Sequence, residues 1–238
     1  MIVNTNGIIL KSAKQGDSSR IISVFTAEFG LVKLIAKGAR AAKNKSTVHT
    51  EVLSICEVSF YYKKNTELHL LSRSERIMNM NKIADSYQHL NIAILMIESL
   101  LQSLHIEVPH QELYESTVNF LQVLNDLPTN PFILLLRHQL ILCNELGFGI
   151  DLSGESILSN NFSIASGEWL PLELQISHNS WKFESDDISL LKYADAIEYI
   201  NYSSENLEIN SKQKVRLLDF FSRYFAYHLE KKFYYTVY

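Results

Sequence analysis

The sequence predicts an α+β chain: a small five-stranded β-barrel at the N-terminus, followed by a larger, mainly α-helical domain. Two observations carry this. Hydrophobic periodicity changes near Asn81 from short β-branched and aromatic runs to helical spacing. Charge divides at the same place, with 13 Lys/Arg against 6 Asp/Glu over residues 1–82 and 9 against 20 over residues 83–238. The expected domains are therefore 1–80 and 81–238, the second carrying an irregular insert at about 150–185.

Five strands are expected, at about Gly7–Ala13, Arg20–Ala27, Leu31–Lys37, Glu51–Tyr62 and Glu67–Arg73. Gln15-Gly16-Asp17 and Phe29-Gly30 supply the first two turns. In the third strand Val32, Leu34 and Ala36 face one way while Lys33 and Lys37 face the other, so one barrel face is apolar and the opposite face cationic. Leu90, Ile94, Ile97, Leu101 and Leu104 then line one long amphipathic helix that Pro109 ends. Two helices follow, at about Gln111–Asn125 and Pro131–Leu146. Proline suits the first turn of the latter, and Gly147 and Gly149 suit its exit. The Ser/Asn/Gly-rich stretch from Gly149 to about Glu184 reads as a loop with a possible hairpin. Helices near Asp187–Ile200 and Ser211–Phe233 close the chain, the last with a stripe of Leu218, Phe221, Phe225 and Leu229 widened by Tyr224 and Tyr227. Asp186 and Asp187 fit a helix N-terminus, where acidic groups favour the dipole.

With 47% hydrophobic residues the chain has ample material for packed cores. No stretch approaches the roughly 18 apolar residues needed to span a bilayer, and Met1–Leu10 lacks the features of a signal sequence. A cytoplasmic, nucleoid-associated location without membrane contact is expected. Cys56 and Cys143 stand far apart, with no CxxC pair for zinc, and are expected as buried small hydrophobes. Nucleophile elbow, P-loop, HExxH and dinucleotide fingerprint are all missing from the sequence. His49, His69, His105, His110, His138 and His228 have no Cys or His partner at metal spacing. A non-enzymatic protein without cofactor or metal is expected.

Between Phe29 and Thr50 no acidic residue occurs, while Lys33, Lys37, Arg40, Lys43 and Lys45 all fall there, spaced by Gly38, alanines and Asn44. A cationic loop leaving a strand suits a phosphate backbone, because Lys and Arg displace condensed counterions whatever the base sequence. Five such contacts to single-stranded DNA would give log K against log salt a slope of about −3.5. Phe60, Tyr61 and Tyr62 precede Lys63 and Lys64, and rings on a barrel face can stack bases. Phe60 and Tyr62 share one strand face and can equally be core, and a basic loop can be plain solvated surface. Two further classes stay open: an RNA-binding accessory protein built on the same kind of barrel, and a protein-interaction scaffold without nucleic-acid activity.

Gly16-Asp17-Ser18-Ser19-Arg20-Ile21, Phe25-Thr26, Phe29-Gly30-Leu31-Val32-Lys33 and Ala36-Lys37-Gly38-Ala39-Arg40 follow one another in an order that resembles the bacterial recombination mediator RecO family. The likeness continues through Leu135-Leu136-Arg137, Glu145-Leu146-Gly147-Phe148-Gly149 and Tyr224-Phe225-Ala226-Tyr227-His228-Leu229. It implies that the barrel is an OB-fold that binds single- and double-stranded DNA and promotes strand annealing. It also implies a complex with RecR and contact with single-strand-binding protein, which together help load RecA. By the same resemblance Lys37 and Arg40, with Lys33, Lys43 and Lys45 as neighbours, contact DNA, and Arg137 meets the acidic tail of single-strand-binding protein. Read from its own helix, Arg137 is equally an ordinary surface charge. One departure stands out: many family members carry four cysteines as a zinc ribbon after the Gly147–Gly149 turn, whereas Asp151 to Trp181 has none. Ser166-Gly167-Glu168-Trp169 is expected to keep that hairpin without metal, its tryptophan acting as anchor.

Overall fold

The structure is a computed structural model that describes residues 1–39, 48–154, 157, 159–172, 179–199, 202 and 207–236. It divides into two compact units, 1–85 with 104–125, and 86–103 with 126–238.

In the first unit β1 (Ile2–Gln15), β2 (Ser19–Thr26), β3 (Gly30–Ala36), β4 (Ile55–Tyr61) and β5 (Leu68–Met78) close into a barrel in the order β1-β2-β3-β5-β4. Only β3 and β5 pair in parallel; every other pair is antiparallel. This is the OB-fold. β1 is 14 residues long because it serves two neighbours. Ile2–Ile8 pairs with β4 and Gly7–Gln15 with β2, with a register shift between Ile9 and Lys11. The expected start at Gly7 is therefore too late: Asn4 and Asn6 resemble turn residues in sequence but occupy exposed positions between buried Val3, Thr5 and Gly7. Strand alternation fills the interior with Ile22 and Val24 from β2, Val32, Leu34 and Ala36 from β3, Cys56, Val58 and Phe60 from β4, and Leu71 from β5.

After α1 (Asn81–Ala84), the unit resumes with a strap at 104–110 and α3 (Gln111–Asn125). The strap runs beside β3: Leu31 and Ile106 form a parallel bridge, and the Glu107 N–H donates to the Leu31 carbonyl at 3.0 Å. Tyr114 of α3 meets Phe25 edge-on at 5.6 Å, burying a β2 ring that lies outside the barrel's own core cluster. Gly30 has φ +64, and a Cβ there would lie 1.9 Å from the Val108 carbonyl oxygen, so glycine is required both by the turn and by the strap.

The second unit contains α2 (Tyr87–Ser103), α4 (Pro131–Glu145), α5 (Ser185–Ala196) and α6 (Ser211–His228). Leu104, expected at the end of α2, belongs instead to the strap of the first unit. α4 is the central helix, with Phe132–Leu136, His138, Gln139, Leu140, Leu142 and Cys143 all buried. Its buried amide is satisfied: Gln139 Nε2 donates to Ser99 Oγ at 3.2 Å and its Oε1 accepts from Tyr235 OH at 3.0 Å. At the start of α5, Glu184 and Asp187 form a capping box, and the fully buried Asp187 carboxylate receives Arg216 Nε at 2.7 Å and Nη2 at 2.8 Å.

The insert is more ordered than the expected loop and hairpin. β6 (Asn161–Ser163), β7 (Glu168–Trp169) and β8 (Ser180–Lys182) form a three-stranded sheet in the order β7-β6-β8. Phe162 at its centre is fully buried against Trp169, Phe220 and Tyr224 at 5.1, 5.7 and 5.6 Å. This contact also moves the buried stripe of α6. Leu217, Phe220, Phe221, Tyr224 and Phe225 are its core, whereas Leu218 and Leu229 are half-buried and Tyr227 is exposed.

Candidate nucleic-acid interface

Strand period 2 places cations on the outside of the barrel wherever they alternate with core residues. On β3, Lys33 lies between buried Val32 and Leu34 and points outward, half-exposed. Its ammonium lies 3.7 Å from the well-exposed carboxylate of Glu67. A solvent-exposed pair of this kind is worth about 0–1 kcal/mol, so it can exchange for a phosphate at little cost. Lys37 is exposed directly after β3, and Gly38 with φ +69 turns the chain there. Arg40, Lys43 and Lys45 lie outside the described residues. Lys63 and Lys64 are exposed at the start of the β4–β5 turn.

That turn is held from inside the barrel. The Lys63 N–H donates to Nδ1 of buried His69 at 3.4 Å, and His69 Nε2 lies 2.7 Å from Glu107 Oε1. With Nδ1 accepting, Nε2 carries the proton and donates to the carboxylate. Tyr62 OH donates to the other Glu107 oxygen at 3.2 Å, and its ring lies against His69 at 5.0 Å. The Glu107 charge pushes the Tyr62 phenol above its ordinary pKa, with desolvation and the hydrogen bond adding to it.

The aromatic trio divides accordingly. Phe60 is fully buried, edge-on to Phe29 at 5.7 Å, and is core rather than platform. Tyr62 is half-buried and committed to Glu107 and His69, whereas Tyr61 is 46% exposed. A further cation joins the face. Lys11 of β1 is in register with Ser23, which is in register with Lys33, so the two lysines lie in one row across three strands. Lys14 pairs with Arg20 and Arg20 with the core residue Ala36, so these two cations fall on the inward-facing side of their strands at the barrel end, where Arg20 Nε donates to Ser12 Oγ at 2.8 Å. A register shift after core residue Ile9 turns Lys11 outward against simple alternation, so the sequence did not flag it, and the acid-free run after Phe29 is the louder charge signal.

In the second unit Arg137 is a quarter exposed, and its Nη1 donates to the Asp195 carbonyl at 2.6 Å and to Asp195 Oδ1 at 2.9 Å. Asp195 lies in the last turn of α5, so Arg137 satisfies a helix-terminal carbonyl as well as a carboxylate. Trp169 is buried, with Nε1 donating to the Asp151 carbonyl at 2.6 Å. Among the described residues no group of three or more His, Cys, Asp or Glu could hold a metal ion, and no helix is long and apolar enough to cross a membrane. Cys56 and Cys143 are both buried and free, as expected.

The family model for the N-terminal region of recombination protein O matches residues 1–80, and the model for its C-terminal region matches residues 85–234. The chain belongs to the RecO family. The N-terminal RecO match coincides with the closed barrel from Ile2 to Met78. The protein named DNA repair protein RecO in Prosthecochloris aestuarii is 32% identical over 174 residues, covering 71% of this chain and 66% of that protein. The protein of that name in Salinibacter ruber is 27% identical over 124 residues, covering 52% and 48%. In Acetivibrio thermocellus it is 23% identical over 146 residues, covering 61% and 57%. The matched part thus spans about half to two thirds of these RecO proteins.

Proposed function

We propose that this RecO-family chain acts in DNA repair and recombination by binding rather than by bond chemistry. Its barrel binds single- and double-stranded DNA and promotes annealing of complementary strands. It works with RecR, and with single-strand-binding protein, in loading RecA. The supporting observation is the concentration of cations on the barrel unit, with Lys11, Lys37, Lys63 and Lys64 exposed and Lys33 tied only by an exposed ion pair. Lys and Arg on such a face neutralise phosphate repulsion, which is the main obstacle to bringing two strands together. Arg40, Lys43 and Lys45, read from the sequence, are proposed as further DNA contacts. Arg137 is the proposed contact for the acidic tail of single-strand-binding protein, which would compete with Asp195 for the guanidinium.

The test is a titration of the protein against single-stranded DNA, duplex DNA and RNA at two salt concentrations. Salt-sensitive binding to both DNA forms is expected. Charge reversal at Lys37, Arg40 and Lys43 should weaken binding and annealing while the far-UV spectrum stays unchanged. Binding that is insensitive to salt, a preference for structured RNA, or unchanged affinity of the reversed variant at low salt would overturn it.

A further inference from the structure

The outward face of the barrel carries more than lysines. Following the register around the sheet, Ala13 pairs with Ile21, Ile21 with Ile35, Ile35 with Leu70, Leu70 with Tyr61 and Tyr61 with Ile2. Residues opposite one another in neighbouring strands share a face, so these side chains form one continuous row. They alternate with the core positions Ile22, Leu34, Leu71 and Phe60, which places the row outside. Ile21, Ile35 and Leu70 are partly buried, Tyr61 is 46% exposed and Ile2 54%. The parallel row beside it is Lys11, Ser23, Lys33 and Leu68, the last 37% exposed. Lys37 follows Ile35 two positions on, and Lys63 and Lys64 follow Tyr61.

An exposed apolar row on a barrel marks a binding surface. Cations on both sides of the row select the occupant: a polymer with apolar faces and anionic links, which is an unpaired nucleic-acid strand. A duplex offers the phosphates but keeps its bases stacked inside. Resting on the DNA-binding reading above, we infer that Tyr61, with Leu70 and Ile35 on the strands beside it, is a base-stacking shelf that gives the barrel its hold on single strands, while Lys11, Lys33, Lys37, Lys63 and Lys64 hold the phosphates. Tyr61 is the one ring of the strand-end trio free to take this role. Phe60 is core, and Tyr62 is fixed by Glu107 and His69.

The test compares the wild-type chain, Tyr61→Ala and Tyr61→Phe on an oligothymidylate and on an abasic oligonucleotide of the same length. The two probes carry the same phosphates, and only the first has bases. Tyr61→Ala should weaken binding to oligothymidylate by about 5- to 150-fold, the range for one stacked base, with the salt slope unchanged because no charge is removed. Tyr61→Phe keeps the ring and should bind like wild type, and the abasic probe should bind all three alike. Equal affinity of Tyr61→Ala and wild type for oligothymidylate, or an equal loss on the abasic probe, overturns the shelf. Failure of the wild-type chain to bind either probe would instead overturn the DNA-binding reading itself. If the face seats a protein partner rather than a strand, Tyr61→Ala leaves both probes unaffected, and the inference fails.

Discussion

Burial holds the His138 imidazole at a pKa of about 3, far below its ordinary 6.5, because the ring is fully buried on α4 in the second unit and desolvation disfavours its charged form. In the unfolded chain the same ring titrates normally, so between pH 6.5 and about 3 the unfolded state binds a proton that the folded state does not. His138 therefore destabilises the fold as pH falls through that window, and its effect levels off below it. The slope limit is about 1.4 kcal/mol per pH unit, which gives a loss of about 2 kcal/mol between pH 7 and pH 5 from this one ring. The measurement is the urea unfolding free energy of wild type and His138→Leu at pH 7, 6 and 5. Leucine costs some packing at every pH, but it removes the titration. The difference between the two proteins should thus shift by about 2 kcal/mol in favour of the variant as pH drops from 7 to 5. Parallel pH profiles would refute the reasoning and show that the ring is solvated or charged in the fold.

Gly30→Ala places a Cβ in the left-handed region and 1.9 Å from the Val108 carbonyl oxygen; a loss of at least about 2 kcal/mol is expected, or about 4–8 °C in Tm, and an unshifted Tm would contradict it. Arg137→Ala should weaken binding of an acidic peptide that mimics the tail of single-strand-binding protein, measured by fluorescence anisotropy. Equal affinities would leave Arg137 only its role at the end of α5. Trp169→Ala should destabilise the chain by about 3–5 kcal/mol in urea unfolding, since the indole is buried against Phe162 and Phe183 at 5.1 and 5.4 Å. The same purified protein should contain no stoichiometric zinc, and finding it by elemental analysis would refute the aromatic anchor.

Where local chemistry decided the structure, the sequence was readable. α3 begins and ends where its periodicity does, at Gln111 and Asn125, and α4 starts at Pro131 as a first-turn proline should. The β1–β2 and β2–β3 hairpins also follow from the turns at Gly16 and Gly30, whereas the β3–β5 and β1–β4 pairings that close the barrel do not. Non-local pairing decided the rest. The first half of β1 is a strand because β4 lies opposite it, and nothing in Asn4-Thr5-Asn6 announces that partner. The insert sheet is only two to three residues per strand, too short for alternation to show, and its central Phe162 is held by Phe220 and Tyr224 from a helix about sixty residues later. The site divides the same way. Charge runs pointed to Lys33 and Lys37, but the shelf joins residues from three strands, β3, β5 and β4, and exists only once the register is known.

A face that combines a stacking shelf with flanking cations treats the two forms of DNA differently, and this bears on how annealing could turn over. An unpaired strand engages both the shelf and the lysines, whereas two strands that have paired withdraw their bases into the duplex and keep only the phosphate contacts. Pairing then weakens the hold on the product by the stacking contribution, about 1–3 kcal/mol per base, without any conformational step. On this reasoning Tyr61→Ala should narrow the ratio of single-strand to duplex affinity, while Lys37→Glu should lower both affinities and leave the ratio nearly unchanged. A Lys37→Glu variant that lost single-strand binding alone would mean that the cations and the shelf are read as one element, and the proposed route to product release would fall.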